Sequence, residues 1–123
     1  EDAAESKAKA DAVSQAESYK QFFAISLCTA EDLPSPTIIG AQAANELLNI
    51  KGIKASFVLT DYQGKIYVSA RSIDEVNVQI IMERMGGGGH MNTAACQMEG
   101  VGLVEAIGVL KHTIDDMLES GEI

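Results

Sequence analysis

Few residues of this chain combine a reactive type with a telling spacing, and most lie between positions 69 and 90. The string Ser69-Ala70-Arg71-Ser72 is followed by Asn77-Val78 and then by Gly86-Gly87-Gly88-Gly89-His90. Four consecutive glycines cost much backbone entropy to order, so a folded domain keeps them where side chains must be absent. Two uses fit: a backbone passing through positive φ, and amides brought against a ligand. A flexible linker is the alternative. Against it, no Ser or Pro surrounds the run, an amphipathic helix leads into it and a histidine closes it. An anion would use all of these parts. Arg71 can give a forked pair of hydrogen bonds to a phosphate. The amides of Gly88 and Gly89 can form a nest, with Gly88 expected at positive φ. His90 can donate to a non-bridging or leaving oxygen. The candidate phosphate-binding set is therefore Arg71, Ser72, Asn77, Gly86, Gly87, Gly88, Gly89 and His90. Plainer roles stand beside these: a solvated strand-end cation for Arg71, a helix cap for Asn77, a carbonyl partner for the His90 ring.

The rest of the sequence supplies no catalytic engine. A two-metal hydrolase needs several Asp and His ligands at close spacing, and this chain has two histidines. No Cys/His zinc pattern, nucleophile elbow or phosphate-binding loop with its Lys occurs. The residues thus predict a phosphate grip with no metal site and no catalytic residue of its own, His90 being the one group that could assist.

These residues must be held by a small α/β unit. Residues 1–20 are rich in Ala, Glu and Lys, with Ala8, Ala12, Ala16 and Tyr19 at helical spacing, and read as a weakly docked connector helix. Phe22 to Cys28 is a continuous apolar run, the mark of a strand buried on both faces. Ser35 and Pro36 open a helix to about Asn49, with Ile39, Ala43, Leu47 and Ile50 facing one way. Ala55–Asp61 and Lys65–Ala70 read as strands around a Gln63-Gly64 turn. Ser72 to Met85 contains a helix capped by Ser72 or Asn77, with Val78, Ile81, Met82 and Met85 as its stripe. A left-handed glycine belongs directly after it. Asn92 to Met98 is ambiguous between helix and strand. From Gly102, Leu103, Ile107, Leu110, Ile114, Met117 and Leu118 form one face of a last helix that Gly121 ends. The expected fold is α/β, a mixed sheet with helices packed on it.

Composition sets the outer bounds. The 123 residues suffice for one domain. Apolar residues make up 46% and aromatics 5%, so the core is aliphatic. A net charge of −9 disfavours long nucleic acid, whose affinity comes from many Lys and Arg contacts, but leaves room for a short or cyclic phosphate at one concentrated site. Cys28 and Cys96 lie in apolar segments and read as buried thiols. No apolar stretch is long enough to span a bilayer.

Taken together, Ser-Ala-Arg-Ser, Asn-Val-Gln-Ile-Ile-Met-Glu-Arg-Met, Gly-Gly-Gly-Gly-His and Asn-Thr-Ala-Ala-Cys-Gln resemble the DHH-associated C-terminal domain of the DHH phosphoesterases. The likeness covers about residues 20–120. The Asn-Val-Gln stretch and Ala-Ala-Cys-Gln are most similar to the GdpP-type cyclic-di-AMP phosphodiesterases. The resemblance implies a two-domain phosphoesterase in which residues 21–123 are the substrate-binding lobe and residues 1–20 the connector from an upstream catalytic domain. That domain would carry the Asp-His-His motif and two manganese ions. Arg71, the glycines and His90 would hold a cyclic dinucleotide or short oligonucleotide phosphate. The fragment alone would be inactive. The parent would be anchored in the bacterial cell membrane with this domain in the cytoplasm, and a homodimer stays open. Two other readings remain: the lobe of an oligoribonuclease or single-strand exonuclease, and a non-catalytic nucleic-acid-binding or oligomerisation module like the related domain of alanyl-tRNA synthetases.

Overall fold

Apolar and polar residues alternate along Lys65–Ser72, so this segment forms a strand with one face for the core and one for something else. In the computed structural model, which describes residues 2–30 and 32–123, it is β4, and its burial alternates residue by residue. It lies inside a six-stranded sheet made of β1 (Glu17–Tyr19), β2 (Phe23–Cys28), β3 (Ala55–Tyr62), β4, β5 (Gly88–His90) and β6 (Thr93–Glu99). The order across the sheet is β1-β2-β3-β4-β6-β5. β2 and β3 run parallel and every other pair antiparallel, so the sheet is mixed, as expected. Gln63 and Gly64 both take positive φ (52° and 80°), the geometry of a two-residue hairpin whose twist matches the strands it joins.

Two pairs of helices cover the sheet unequally. α3 (Val78–Arg84) and α4 (Leu103–Glu119) lie on one face. Their Ile81, Met82, Leu110, Ile114 and Met117 pack on Phe57, Leu59, Ile66, Val68, Ala94 and Cys96 to form the larger core. α1 (Ala3–Ser14) and α2 (Pro36–Leu47) lie on the other face, where Ala12, Ile39, Ala43 and Leu47 close over Ala24, Cys28 and Val58. That second pair sits on β2 and β3, and α2 also reaches over β4. Along β6, Thr93, Ala95, Gln97 and Glu99 remain exposed on this side, and Tyr67, Ser69 and Arg71 of β4 are half-buried. The sheet therefore has a polar strip over β4, β6 and β5 that is flanked by α2 at β4 and open on β6 and β5.

Several expectations need correction. Residues 1–20 are not one helix: α1 stops at Ser14, and Glu17–Tyr19 pair with Phe23–Ile25 as β1. The turn between them uses positive φ at Lys20 and Gln21, so no glycine announced it, and the expected boundary between 20 and 21 falls inside this hairpin. Asn92 to Met98 contains no helix; Thr93–Glu99 is a strand, made so by long-range pairing with β4. Of the two caps expected for α3, Asn77 is the one used, and the helix begins at Val78. Ile50 lies past the end of α2 and is 45% exposed. Leu118 is likewise exposed, while Thr113 takes a buried place on α4. Both cysteines are buried and free, as expected.

Candidate functional site

Only the second half of the glycine run is strand: Gly86 and Gly87 lead out of α3, Gly88 and Gly89 open β5, and each glycine meets a different demand. Gly86 turns left-handed (φ 90°) to end α3. Its amide donates to the Glu83 carbonyl at 3.0 Å, and that of Gly87 to the Met82 carbonyl at 2.8 Å, which satisfies two orphaned carbonyls of the helix end. The chain then closes on β6. A Cβ on Gly87 would lie 2.0 Å from the Ala95 carbonyl oxygen, and one on Gly89 would lie 2.5 Å from the Thr93 oxygen. Gly88 is the exception. Its φ is not positive and a Cβ there meets nothing within 4 Å. Gly88, Gly89 and His90 pair with Ala95, Ala94 and Thr93 as the edge strand.

This pairing decides where His90 goes. His90 is opposite Thr93, and Thr93 is opposite Arg71. Directly opposed residues project from the same face of a sheet. His90, Thr93 and Arg71 thus form one row across three strands, with the outer two about 10 Å apart by strand spacing. The row stands on the polar strip. Gly88, Ala95 and Ser69 form the next row, and Gln97 and Tyr67 the one after.

Arg71 is half-buried, and its Nη1 donates to the Ala70 carbonyl at 2.9 Å. Burial pulls its pKa below the usual arginine value, although a guanidinium stays protonated at neutral pH. Among the described residues it has no carboxylate partner, unlike Arg84, which reaches Asp116 at 2.9 Å and Glu122 at 2.6 Å. A partly desolvated cation without a counter-ion is a ready seat for an anion. The single carboxylate that β4, β5 and β6 place on the strip is Glu99, at the far end and paired with Lys65 at 3.2 Å. Two polar donors face outward with a hydroxyl between them, an arrangement suited to holding a phosphodiester and stabilising charge on it.

Ser72 and Asn77 do not join the row. Ser72 points to the opposite face and is buried. Its hydroxyl donates to the Val76 carbonyl at 2.6 Å and accepts from Asn92 Nδ2 at 2.9 Å. It thereby braces the Met91-Asn92 turn that joins β5 to β6. The Asn77 side chain caps α3, accepting from the amides of Gln79 (2.9 Å) and Ile80 (3.3 Å). Both support the site from behind.

Sequence reasoning passed over Thr93, Ser69, Tyr67 and Gln97, which share the strip. The signal was present: polar residues alternate with Ile66, Val68 and Ala70 along β4, and with Ala94, Cys96 and Met98 along β6. Beside the rows lies a cavity of about 400 Å³, lined by Thr37 of α2, Tyr67 and Ser69 of β4, Gln97 of β6 and the Gly86-Gly87 backbone. No group of three or more His, Cys, Asp or Glu among the described residues is placed to hold a metal. No helix among them is long and apolar enough to cross a membrane.

Known proteins with the same pattern are readily found. The cyclic-di-AMP phosphodiesterase PdeA of Listeria monocytogenes serotype 1/2a (strain 10403S) is 46% identical over 86 residues, which is 69% of this chain and 13% of that protein. The cyclic-di-AMP phosphodiesterase GdpP of Bacillus subtilis (strain 168) is 44% identical over 105 residues, 84% of this chain and 16% of that protein. The chain thus spans only a small part of these relatives. An exopolyphosphatase-related protein from Bacteroides fragilis has the same fold, with a TM-score of 0.82 over 95% of this chain and 36% of its own, at 20% identity. The DHHA1 domain family matches residues 25–120, which run from within β2 through the glycine run to the end of α4. The chain belongs to the DHHA1 domain family.

Proposed function

We propose that this domain is the substrate-holding lobe of a cyclic-di-AMP phosphodiesterase whose hydrolytic chemistry belongs to a separate catalytic domain of the same protein. One observation carries the reading: the His90–Thr93–Arg71 row, on a polar strip, with an arginine that pairs with no carboxylate among the described residues. The names of the 44% and 46% identical relatives supply the substrate. Arg71 grips a phosphate through its fork, and His90 donates to a second oxygen of the same group. Ser72 and Asn92 hold the β5–β6 turn that fixes the His90 position. By resemblance we assign two manganese ions to the upstream domain, and place the lobe on the cytoplasmic side of a membrane-anchored parent.

The test uses the parent protein that carries this domain, with manganese and cyclic-di-AMP. His90→Ala slows turnover by about 100-fold, the cost of one positioned donor or acid, and leaves the melting temperature of the 123-residue chain in place. Arg71→Lys keeps the charge but loses the fork, and raises KM or lowers kcat markedly. The chain alone turns nothing over. Normal kinetics in both variants overturn the reading, as does sustained turnover by the isolated chain.

A further inference from the structure

The outer face of α4 has no role in the reading above, and it carries a residue that the fold itself does not explain. Gly108 lies inside a 17-residue helix, where glycine is among the poorest residues. Nothing within the chain asks for it, because a Cβ there meets no atom within 4 Å. The position points straight away from the core, since Ala106, Leu110, Ile114 and Met117 fill the opposite side of the helix. Around it on the outer face stand Val104 and Glu105, one turn before, and Lys111 and His112, one turn after. Val104 is 86% exposed. The Glu105 carboxylate has no partner among the described residues, and the Lys111 ammonium has only the Tyr19 ring, 5.2 Å away. Beside this face a cavity of about 240 Å³ opens between α4 and β2, walled by Ile107, Lys111, Ile25 and Leu27.

We infer that this face joins two copies of the chain, with their α4 helices crossing antiparallel at Gly108. A twofold contact needs a surface that complements itself. The α4 face does so about Gly108, with the acid on one side and the bases on the other. An antiparallel crossing sets Glu105 of each copy against the Lys111-His112 turn of the other, once on each side of the axis. The same crossing brings Val104 of each copy over Lys111 of the other, at the mouth of the cavity that Lys111 and Ile107 line. The missing side chain at the crossing point lets the helix axes approach to about 8 Å. α4 packs on the sheet face opposite the polar strip, so the strips of the two copies point outward and both phosphate rows stay open. Two crossing helices bury less than the roughly 1,600 Å² of a standard interface, so the dimer is weak. The charge of −9 on each copy opposes it at low salt and is screened at physiological ionic strength.

The experiment is sedimentation velocity on the 123-residue chain at physiological salt, from micromolar concentration to about 1 mM. The chain passes from monomer to dimer across this range. Gly108→Gln puts a side chain at the crossing and weakens the dimer about tenfold or more, while the melting temperature holds or rises because glutamine suits a helix better. Glu105→Lys and Lys111→Glu each set like charges against one another and weaken the dimer about tenfold, with melting temperatures checking that both variants fold. Mixed in equal amounts, these two charge variants dimerise with each other at least as well as the unaltered chain, because acid then meets base at both contacts. A chain that stays monomeric at the highest concentration overturns the inference. So does a dimer that Gly108→Gln leaves intact, or a mixture of the two charge variants that stays monomeric.

Discussion

Replacing Gly87 by Ala tests whether the glycine run is a strand packed against its neighbour or a ligand-binding loop. The new Cβ lies 2.0 Å from the Ala95 carbonyl oxygen, short of the 3.4 Å of ordinary contact by about 1.4 Å. It also lies 2.6 Å from Cys96 Cβ and 2.7 Å from Cys96 Cα. Two of the three neighbours are backbone and cannot rotate away, so the strand must move. Overpacking of this kind costs about 1–3 kcal/mol, and with backbone as the obstacle the upper end applies. For a domain of this size each kcal/mol lowers Tm by roughly 3–5 °C, so Gly87→Ala falls by about 10 °C. Gly88→Ala is the control. Its Cβ meets nothing within 4 Å and its φ is not positive. Relief of chain entropy makes it neutral or better by up to about 1 kcal/mol. Calorimetry of both variants decides. A Gly87→Ala variant that melts with the parent refutes the close-packing argument. A Gly88→Ala variant as damaged as Gly87→Ala restores the uniformly strained loop.

Ser72→Ala removes the hydroxyl that braces the β5–β6 turn and leaves Asn92 short of a partner; thermal unfolding shows a loss of about 1–2 kcal/mol, and an unchanged melting temperature refutes the brace. The hydrogen bond from Tyr19 to Asp115 at 2.7 Å, aided by burial and the carboxylate charge, pushes the Tyr19 phenol up to about 12. Its folded pKa lies above the ordinary value of about 10, so its stabilising effect is complete below pH ~10 and is lost as pH rises toward 12. A phenolate absorbance titration shows a late step that Tyr19→Phe abolishes, and the absence of that step refutes the assignment. Burial raises the Cys96 thiol to about 11, so Cys96 resists alkylation at pH 8 in the folded chain and reacts on unfolding, as read by mass spectrometry.

Much of the scaffold was legible because its signals are local. The β4 alternation, the α4 stripe and the Gln63-Gly64 turn each sit within one element, and the left-handed glycine after α3 is a local end signal. The misses are long-range. Thr93–Glu99 is rich in small residues and is a strand only because β4 and β5 flank it. Glu17–Tyr19 is a strand only because Phe23–Ile25 lies opposite. At the site, Arg71 and His90 stand on one face of the sheet, 19 positions apart in sequence with β6 between them. The face that each residue takes depends on strand parity, and Ser72, next to Arg71, falls on the other side for that reason alone.

The glycine run is held at two ends. From α3 it counts one residue to turn and one to slide under Ala95. From the other side, the two-residue Met91-Asn92 turn sets His90 opposite Thr93. A glycine added to the run is taken up between these ends, so it spoils the fit of Gly87 under Ala95 and leaves the imidazole on its own face. A residue added to the Met91-Asn92 turn does the reverse: β5 slips by one place, and strand alternation carries the imidazole to the side packed by α3 and α4.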